Sequence, residues 1–534
     1  MTLLSIENLS VSIKGKAILR DVSLLLECGE ILAITGESGS GKSMTALAAM
    51  QLLPSGSTQN GTVQLGQYTL SQMTEDELCK RRGRDIGMVF QEPMTALNPV
   101  QTIGAQVTET IRQHQRIAMN DARAMASATL ERVGLPADRF PHDRYPHQLS
   151  GGQRQRVVIA MAIVLKPSVL IADEPTTALD VTTQAQILDL VSRLAREDRM
   201  GLVLITHDLA VVSGYADRLA VMQNGEIVET GPTKTVLNNP SHAYTKMLLA
   251  ATTHQLTLPK PSKPEPLLTA QNIRCRYRLP RRKLFEKPDF MEAVRDVSFS
   301  IARGERVGLV GESGCGKSTL TRALLGLEPL HTGSVTLAGA STAQHQDAAH
   351  GAHRKMQVVF QDPFGSFNPR HKVARLIVEP FHLLDKRPTR HEQASAVSSA
   401  LTDVGLKLSD ADRYIHEFSG GQRQRIAIAR AIIIRPDLII FDEAVSALDV
   451  SVRARILDLL AKLCDTHNLT YLFISHDISV VRSITDRVMV MQAGQIVEEG
   501  PTERVFTNPQ HSYAKRLVAA VPPLVIPAVK GLNT

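Results

Sequence analysis

The chain of 534 residues is 43% hydrophobic and 21% charged, with 60 basic and 53 acidic side chains for a net charge of +7. At roughly 100–200 residues per unit this describes about three or four folded units, excludes a disordered chain, and is compatible with lying on an anionic membrane surface. Trp is absent and aromatics total 4%, which argues against a stacking platform for single-stranded nucleic acid.

No run of about 18 apolar residues is present, so no bilayer-spanning helix is expected. Residues 1–10 carry Glu7 and no basic stretch, so a secretory leader is not expected either. Cys28, Cys79, Cys275, Cys315 and Cys464 form no C-x-x-C pair. Zinc ribbons, iron–sulfur ligation and a disulfide framework are disfavoured, and a reducing compartment is favoured.

In chain order, the first strong element is the apolar run 30–35, which reads as a strand buried on both faces. It opens into Gly36-Glu37-Ser38-Gly39-Ser40-Gly41-Lys42-Ser43, the G-x-x-x-x-G-K-[ST] spacing. Glycines there let backbone amides turn inward around phosphate, and the following helix presents its positive N-terminus. Lys42 is expected at the β- and γ-phosphates and the Ser43 hydroxyl on Mg²⁺. Gln91, after Val89-Phe90, is expected to sense metal and attacking water. Residues 91–150, and 361–419 in the later copy, read as a separate helical subdomain. Ser150-Gly151-Gly152-Gln153 then opens a helix rich in Arg and Ala and reads as a second anion-binding terminus.

The next buried strand, 169–172, leads into Asp173-Glu174. Neighbours in a strand point to opposite sides, so the carboxylates take separate roles. Asp173 is expected to hold the Mg²⁺ water shell and Glu174 to polarise the attacking water as general base. The run 201–206 ends at His207, suited to a γ-phosphate.

The same order then recurs. Gly311-Glu312-Ser313-Gly314-Cys315-Gly316-Lys317-Ser318 follows the run 306–310, and Gln361 follows Val359-Phe360. Ser419-Gly420-Gly421-Gln422, Asp442-Glu443 and His476 complete the set. The landmarks keep a near-constant offset of about 270 residues, the mark of a duplicated domain. Between the copies, Pro259, Pro261, Pro264 and Pro266 mark a semi-rigid spacer. The expected organisation is one α/β module over 1–255, a linker over 256–266 and a second α/β module over 267–534. Ligands are expected at the carboxyl ends of the parallel strands.

Together these motifs resemble the ATP-binding-cassette ATPases over nearly the whole chain. The resemblance implies two tandem P-loop NTPase domains that bind ATP and Mg²⁺. It also implies that they stack head to tail, each nucleotide lying between one P-loop and the other module's signature. Site one then joins the first P-loop, Gln91, Asp173, Glu174 and His207 with Ser419, Gly420, Gly421 and Gln422. Site two joins the second P-loop, Gln361, Asp442, Glu443 and His476 with Ser150, Gly151, Gly152 and Gln153. Metal falls to Ser43, Gln91 and Asp173 in one and to Ser318, Gln361 and Asp442 in the other. The family stacks an aromatic ring on adenine near the start of each cassette. Tyr277 fits that role, with Thr319 continuing the second P-loop; the first module offers Ile13 and Met44, so its site is expected to bind more weakly.

A narrower resemblance follows. Gln91-Glu92-Pro93-Met94-Thr95-Ala96-Leu97-Asn98-Pro99 and Gln361-Asp362-Pro363-Phe364-Gly365-Ser366-Phe367-Asn368-Pro369 are similar to the oligopeptide/dipeptide importer ATPases. So are Tyr145-Pro146-His147 and the tails His242-Ala243-Tyr244-Thr245 and His511-Ser512-Tyr513-Ala514. The fused two-cassette form, of the microcin C or glutathione importer type, matches best. It implies an ATP-hydrolysing importer subunit, peripheral on the cytoplasmic face of the cell inner membrane. Its partners are two integral membrane permease subunits and an extracytoplasmic substrate-binding protein, with no nucleic acid. Residues 92–112 and 362–375 are expected to form grooves for the permeases. The alternative is a soluble tandem-cassette factor acting on ribosomes or nucleic acid, which the short proline-rich linker disfavours. Cys315 stands where the first copy has Ser40; facing a helix N-terminus, its thiol is expected to have a lowered pKa and to be reactive.

Overall fold

The uninterrupted apolar runs become central strands, in a computed structural model that describes residues 2–177, 179–253, 256, 265–279, 289–342, 351, 353–446 and 448–521. The chain divides into two compact units, one reaching to Thr253 and the other built on residues beyond it. The first contains β1 (Thr2–Ile13), β2 (Lys16–Glu27), β3 (Ile31–Thr35), β4 (Ser57–Leu65), β5 (Tyr68–Thr69), β6 (Ile86–Val89), β7 (Val169–Asp173), β8 (Gly201–Ile205), β9 (Arg218–Gln223) and β10 (Glu226–Pro232). An antiparallel sheet runs in the order β2-β1-β4-β5, and a second sheet in the order β10-β9-β3-β8-β7-β6. The second sheet is parallel except where β10 pairs antiparallel with β9.

Every residue of β3, β7 and β8 is buried, as strands covered on both faces require. One face, with Leu32, Ile34, Ile171 and Val203, packs on the antiparallel sheet. The other, with Ile31, Leu170, Ala172 and Leu204, joins a cluster that includes Ile103, Val107, Leu130 and Val157. The helical subdomain is thus present, in the helices Ile103–His114 and Met119–Arg132. Its core is continuous with the sheet's rather than separate from it. The carboxyl ends of β3, β7 and β8 deliver Gly36, Glu174 and His207 to one edge of the sheet.

The second unit repeats this with β11 (Pro266–Arg278), β12 (Phe290–Ala302), β13 (Arg306–Val310), β14 (Thr332–Leu337), β15 (Ala340–Ser341), β16 (Met356–Val359), β17 (Leu438–Asp442), β18 (Thr470–Ile474), β19 (Arg487–Gln492) and β20 (Gln495–Pro501). Its sheets run β12-β11-β14-β15 and β16-β17-β18-β13-β19-β20. Pro266, the last proline of the spacer, opens β11 opposite Ala302. Residues 257–264 of that spacer lie outside the described residues.

The copies differ where their central strands begin. Ile31 is buried in β3, whereas Arg306 at the matching place in β13 is a buried cation, 2% exposed. Its Nε and Nη2 donate to Asp486 at 2.8 and 2.6 Å, and its backbone amide donates to the same carboxylate at 3.1 Å. In the first unit Asp217 accepts from the Ile31 amide at 2.9 Å. Taking the carboxylate away from a buried guanidinium costs up to about 3–5 kcal/mol. Asp486→Ala should therefore destabilise the second unit by that amount in urea unfolding, against about 1 kcal/mol for Asp217→Ala in the first. Equal losses would contradict the assignment.

Candidate functional site

In each unit the chain leaves a fully buried strand and must turn at once into a helix. A Cβ on Gly36 would sit 2.2 Å from the Met222 carbonyl oxygen, so no other residue passes β9 there. Gly41 then takes φ 108° and Gly316 φ 111°, left-handed values that favour glycine. The helices Lys42–Ala49 and Lys317–Leu324 start without a side-chain cap. Their first amides are therefore left for an anion.

The lysine side chains fold back into these loops. Lys42 Nζ donates to the carbonyls of Gly36 and Glu37 at 2.8 and 3.0 Å. Lys317 Nζ does the same to Gly311 and Glu312 at 2.8 and 2.9 Å. Burial holds the Lys42 amine below its usual pKa, against the pull of Glu174. The Ser40 hydroxyl is buried in the first loop with no partner among the described residues. That unsatisfied group suits a phosphate ligand.

Ser43 Oγ donates to Asp173 Oδ1 at 3.0 Å. Burial raises the Asp173 pKa despite that bond. At the matching place, burial and the repulsion of Glu443 push Asp442 up to about 6, against Lys317 and Arg322. A hydroxyl beside a buried carboxylate short of positive charge is a hard-oxygen donor set that fits a divalent cation such as Mg²⁺.

Glu174 and Glu443 depart from the sequence expectation in one respect. They do not diverge from Asp173 and Asp442 by strand alternation, because the strands end at the aspartates. The glutamates take left-handed backbone instead, φ 44° and 50°. Their amides donate to the Ile205 and Ile474 carbonyls at 3.0 and 2.9 Å, which fixes the turn. Strain of this kind gathers at functional sites.

Around Glu174 the structure assembles three donors. Gln91 Nε2 reaches Oε2 at 3.0 Å, Thr177 Oγ1 reaches it at 3.1 Å, and His207 Nδ1 lies 3.4 Å from Oε1. Around Glu443, His476 Nδ1 lies 3.5 Å from Oε2, and Ser446 donates to the backbone carbonyl at 2.9 Å. Gln361 makes no hydrogen bond to Glu443 among the described residues. Burial pushes both glutamates upward, but hydrogen bonds from their histidines together with the neighbouring Lys42 and Lys317 hold both carboxyls below the usual range. Thr177 was not singled out from the sequence; a Thr three residues after an acidic pair carries no spacing signal of its own.

Ser150 and Ser419 are N-caps with capping boxes: Gln153 and Gln422 amides donate to their hydroxyls, and the glutamine side chains accept from the serine amides. The second glycine of each signature is a packing requirement. A Cβ on Gly152 would lie 2.4 Å from Thr183 Cγ2, and one on Gly421 2.3 Å from Val452 Cγ1. Among the described residues, neither signature bonds to the P-loop of its own unit. The Tyr277 hydroxyl lies 3.3 Å from Thr319 Oγ1, so these two residues meet beside the second P-loop. Ile13 sits opposite Lys16 at the turn joining β1 and β2.

Cys315 overturns its expectation. Its side chain is buried, and burial raises the thiol pKa more than Lys317 and the helix terminus lower it.

The profile of the ABC transporter family matches residues 19–177 and 294–446. The oligopeptide/dipeptide transporter C-terminal region matches residues 228–284 and 497–532. The glutathione import ATP-binding protein of Escherichia coli K12 is 45% identical across 97% of this chain and 89% of its own length. The protein of that name from Salmonella choleraesuis is 46% identical across 94% and 86%. A solved dimeric ATP-binding cassette in a post-hydrolysis state, bound to ADP and Pi, is 32% identical, covers 43% of this chain and 99% of its own, and gives a TM-score of 0.39.

Burial of Cys315 has a direct consequence. Iodoacetamide at pH 8 should label the exposed Cys28 and Cys79 and leave Cys315 at least tenfold slower in the native chain, read by peptide mass spectrometry. Comparable labelling would restore the reactive thiol.

Proposed function

Because the chain belongs to the ATP-binding-cassette transporter family and carries the oligopeptide/dipeptide C-terminal region twice, we propose that it is the ATP-hydrolysing subunit of an importer for peptides or peptide-like substrates such as glutathione. The observation that carries this reading is the repeated constellation: a buried lysine in a P-loop, a buried aspartate, and a left-handed glutamate beside a histidine.

In the proposed reaction Lys42 and Lys317 leave their loop carbonyls for the β- and γ-phosphates. Ser43 with Asp173, and Ser318 with Asp442, would hold Mg²⁺, which would neutralise phosphate charge. Glu174 and Glu443 accept the proton of the attacking water. Gln91 and His207 already hold Glu174, and His476 holds Glu443, so each base is oriented before substrate arrives. Residues 150–153 and 419–422 add further donors for nucleotide phosphate at the starts of their helices. Supporting this, Ser150, Ser419 and Gly420 are exposed to solvent. Tyr277 stacks on adenine in the second site.

The partners are two permease subunits and a substrate-binding protein, with the chain peripheral on the cytoplasmic face of the inner membrane. No helix among the described residues is long and apolar enough to cross a membrane. The segments after Gln91 and Gln361 present Val100, 79% exposed, and Phe364, 41% exposed. In the second unit the signature helix braces that segment: Arg430 donates to the Ser366 carbonyl and hydroxyl at 2.9 Å each, and Arg423 lies over the Phe364 ring.

A tagged chain carrying Glu174→Gln and Glu443→Gln tests both halves of the proposal. It should keep nucleotide affinity, release phosphate about 10²-fold more slowly than the parent, and recover two integral membrane proteins from detergent extracts. Parent-rate hydrolysis would remove the base assignment. Recovery of ribosomes or nucleic acid in place of membrane proteins would overturn the importer reading.

A further inference from the structure

The tail motifs His242-Ala243-Tyr244 and His511-Ser512-Tyr513 lie far from the P-loops in sequence yet end on them in space. In the first unit the Glu37 amide donates to the Tyr244 hydroxyl at 2.9 Å across 207 residues of chain. In the second the Glu312 amide donates to the Tyr513 hydroxyl at 2.8 Å across 201 residues. The same two glutamates offer their carbonyls to the P-loop lysines at 3.0 and 2.9 Å. One residue therefore joins tail tyrosine and lysine: its amide is held by the phenol and its carbonyl holds the amine.

The phenol is itself fixed. Tyr244 is 5% and Tyr513 0% exposed, each within an apolar cluster of its unit. The histidine begins each tail helix, its Nδ1 accepting from the tyrosine amide at 3.2 Å in both units. Behind it, Glu229 of β10 accepts from the Ser241 and His242 amides, and Glu498 of β20 from the Gln510 and His511 amides. Burial pushes the Tyr244 hydroxyl up to about 12, so it stays a neutral acceptor at any working pH.

We propose that Tyr244 and Tyr513 are positioning residues for the P-loops, struts that hold the second loop residue, and through it the lysine, in place for nucleotide phosphates. When phosphate draws the lysine away, the Glu37 carbonyl keeps the Ser40 amide at 3.1 Å and the Glu312 carbonyl the Cys315 amide at 3.3 Å, while the tyrosine holds the amide of the same residue. The C-terminal region is thereby tied to nucleotide occupancy. The inference rests on the nucleotide-site reading above.

The test replaces only the hydroxyl. Tyr244→Phe is measured with Lys317→Ala silencing the other site, and Tyr513→Phe with Lys42→Ala, both in the full chain. Each Phe variant should bind Mg·ADP about three- to tenfold more weakly, the range one neutral hydrogen bond supports. The KM for ATP should rise while kcat holds within about twofold, and the melting temperature should stay with the parent. A merely apolar anchor would leave Mg·ADP affinity and KM unchanged, and that result overturns the proposal. If a Phe variant loses its cooperative melt, hydrogen exchange on the parent carries the test. Saturating Mg·ADP should then slow exchange in the tail helices Ala243–Thr252 and Ser512–Ala519, and no slowing overturns it. Loss of Mg·ADP binding in the Lys42→Ala, Lys317→Ala double variant checks the site reading separately.

Discussion

An ammonium group buried at the end of a central strand needs acceptors, and in both units the surrounding structure supplies them from the loop that carries it. Leaving a charge of that kind unpaired costs several kcal/mol. The two carbonyls on each lysine therefore dictate the path of the P-loop. That path requires Gly36 to clear β9 and Gly41 to turn left-handed. The buried aspartate and the left-handed glutamate complete a site with more negative charge than the lysine balances, which a divalent cation corrects.

Duplication preserved this frame and varied what surrounds it. Cys315 stands in the place of Ser40 and Thr319 in that of Met44, and Thr319 lies beside the Tyr277 hydroxyl. Ile31 became Arg306, a change confined to the far end of the same strand and answered by Asp486. Gln91 hydrogen-bonds its glutamate, whereas among the described residues Gln361 makes no such bond. The two units share this frame and differ in the bonds that hold each part of it.

Spacing made most of the site legible. Glycine, lysine and hydroxyl at fixed intervals after an apolar run define a loop whichever fold carries them, and a second copy at constant offset removes coincidence. What stayed hidden depends on atoms distant in sequence. Glu174 is left-handed because its amide must reach Ile205 on the neighbouring strand, and no periodicity in 169–174 encodes that. Cys315 looked reactive from its helix terminus, but Gly311 and Lys317 enclose its sulfur, and desolvation outweighs the dipole. Gly152 read as an anion-binding residue, yet Thr183 is what forbids a side chain there. The tail tyrosines were visible as a family signature, while their bond to the P-loop could only be found in three dimensions.

The account stands on both units being competent nucleotide sites, and stoichiometry measures that most directly. Equilibrium dialysis of the full chain against Mg·ADP should reach two nucleotides per chain. It should fall to one when either Lys42 or Lys317 is replaced by Ala. A parent chain that saturates at a single nucleotide, or a lysine variant that still binds two, would contradict it.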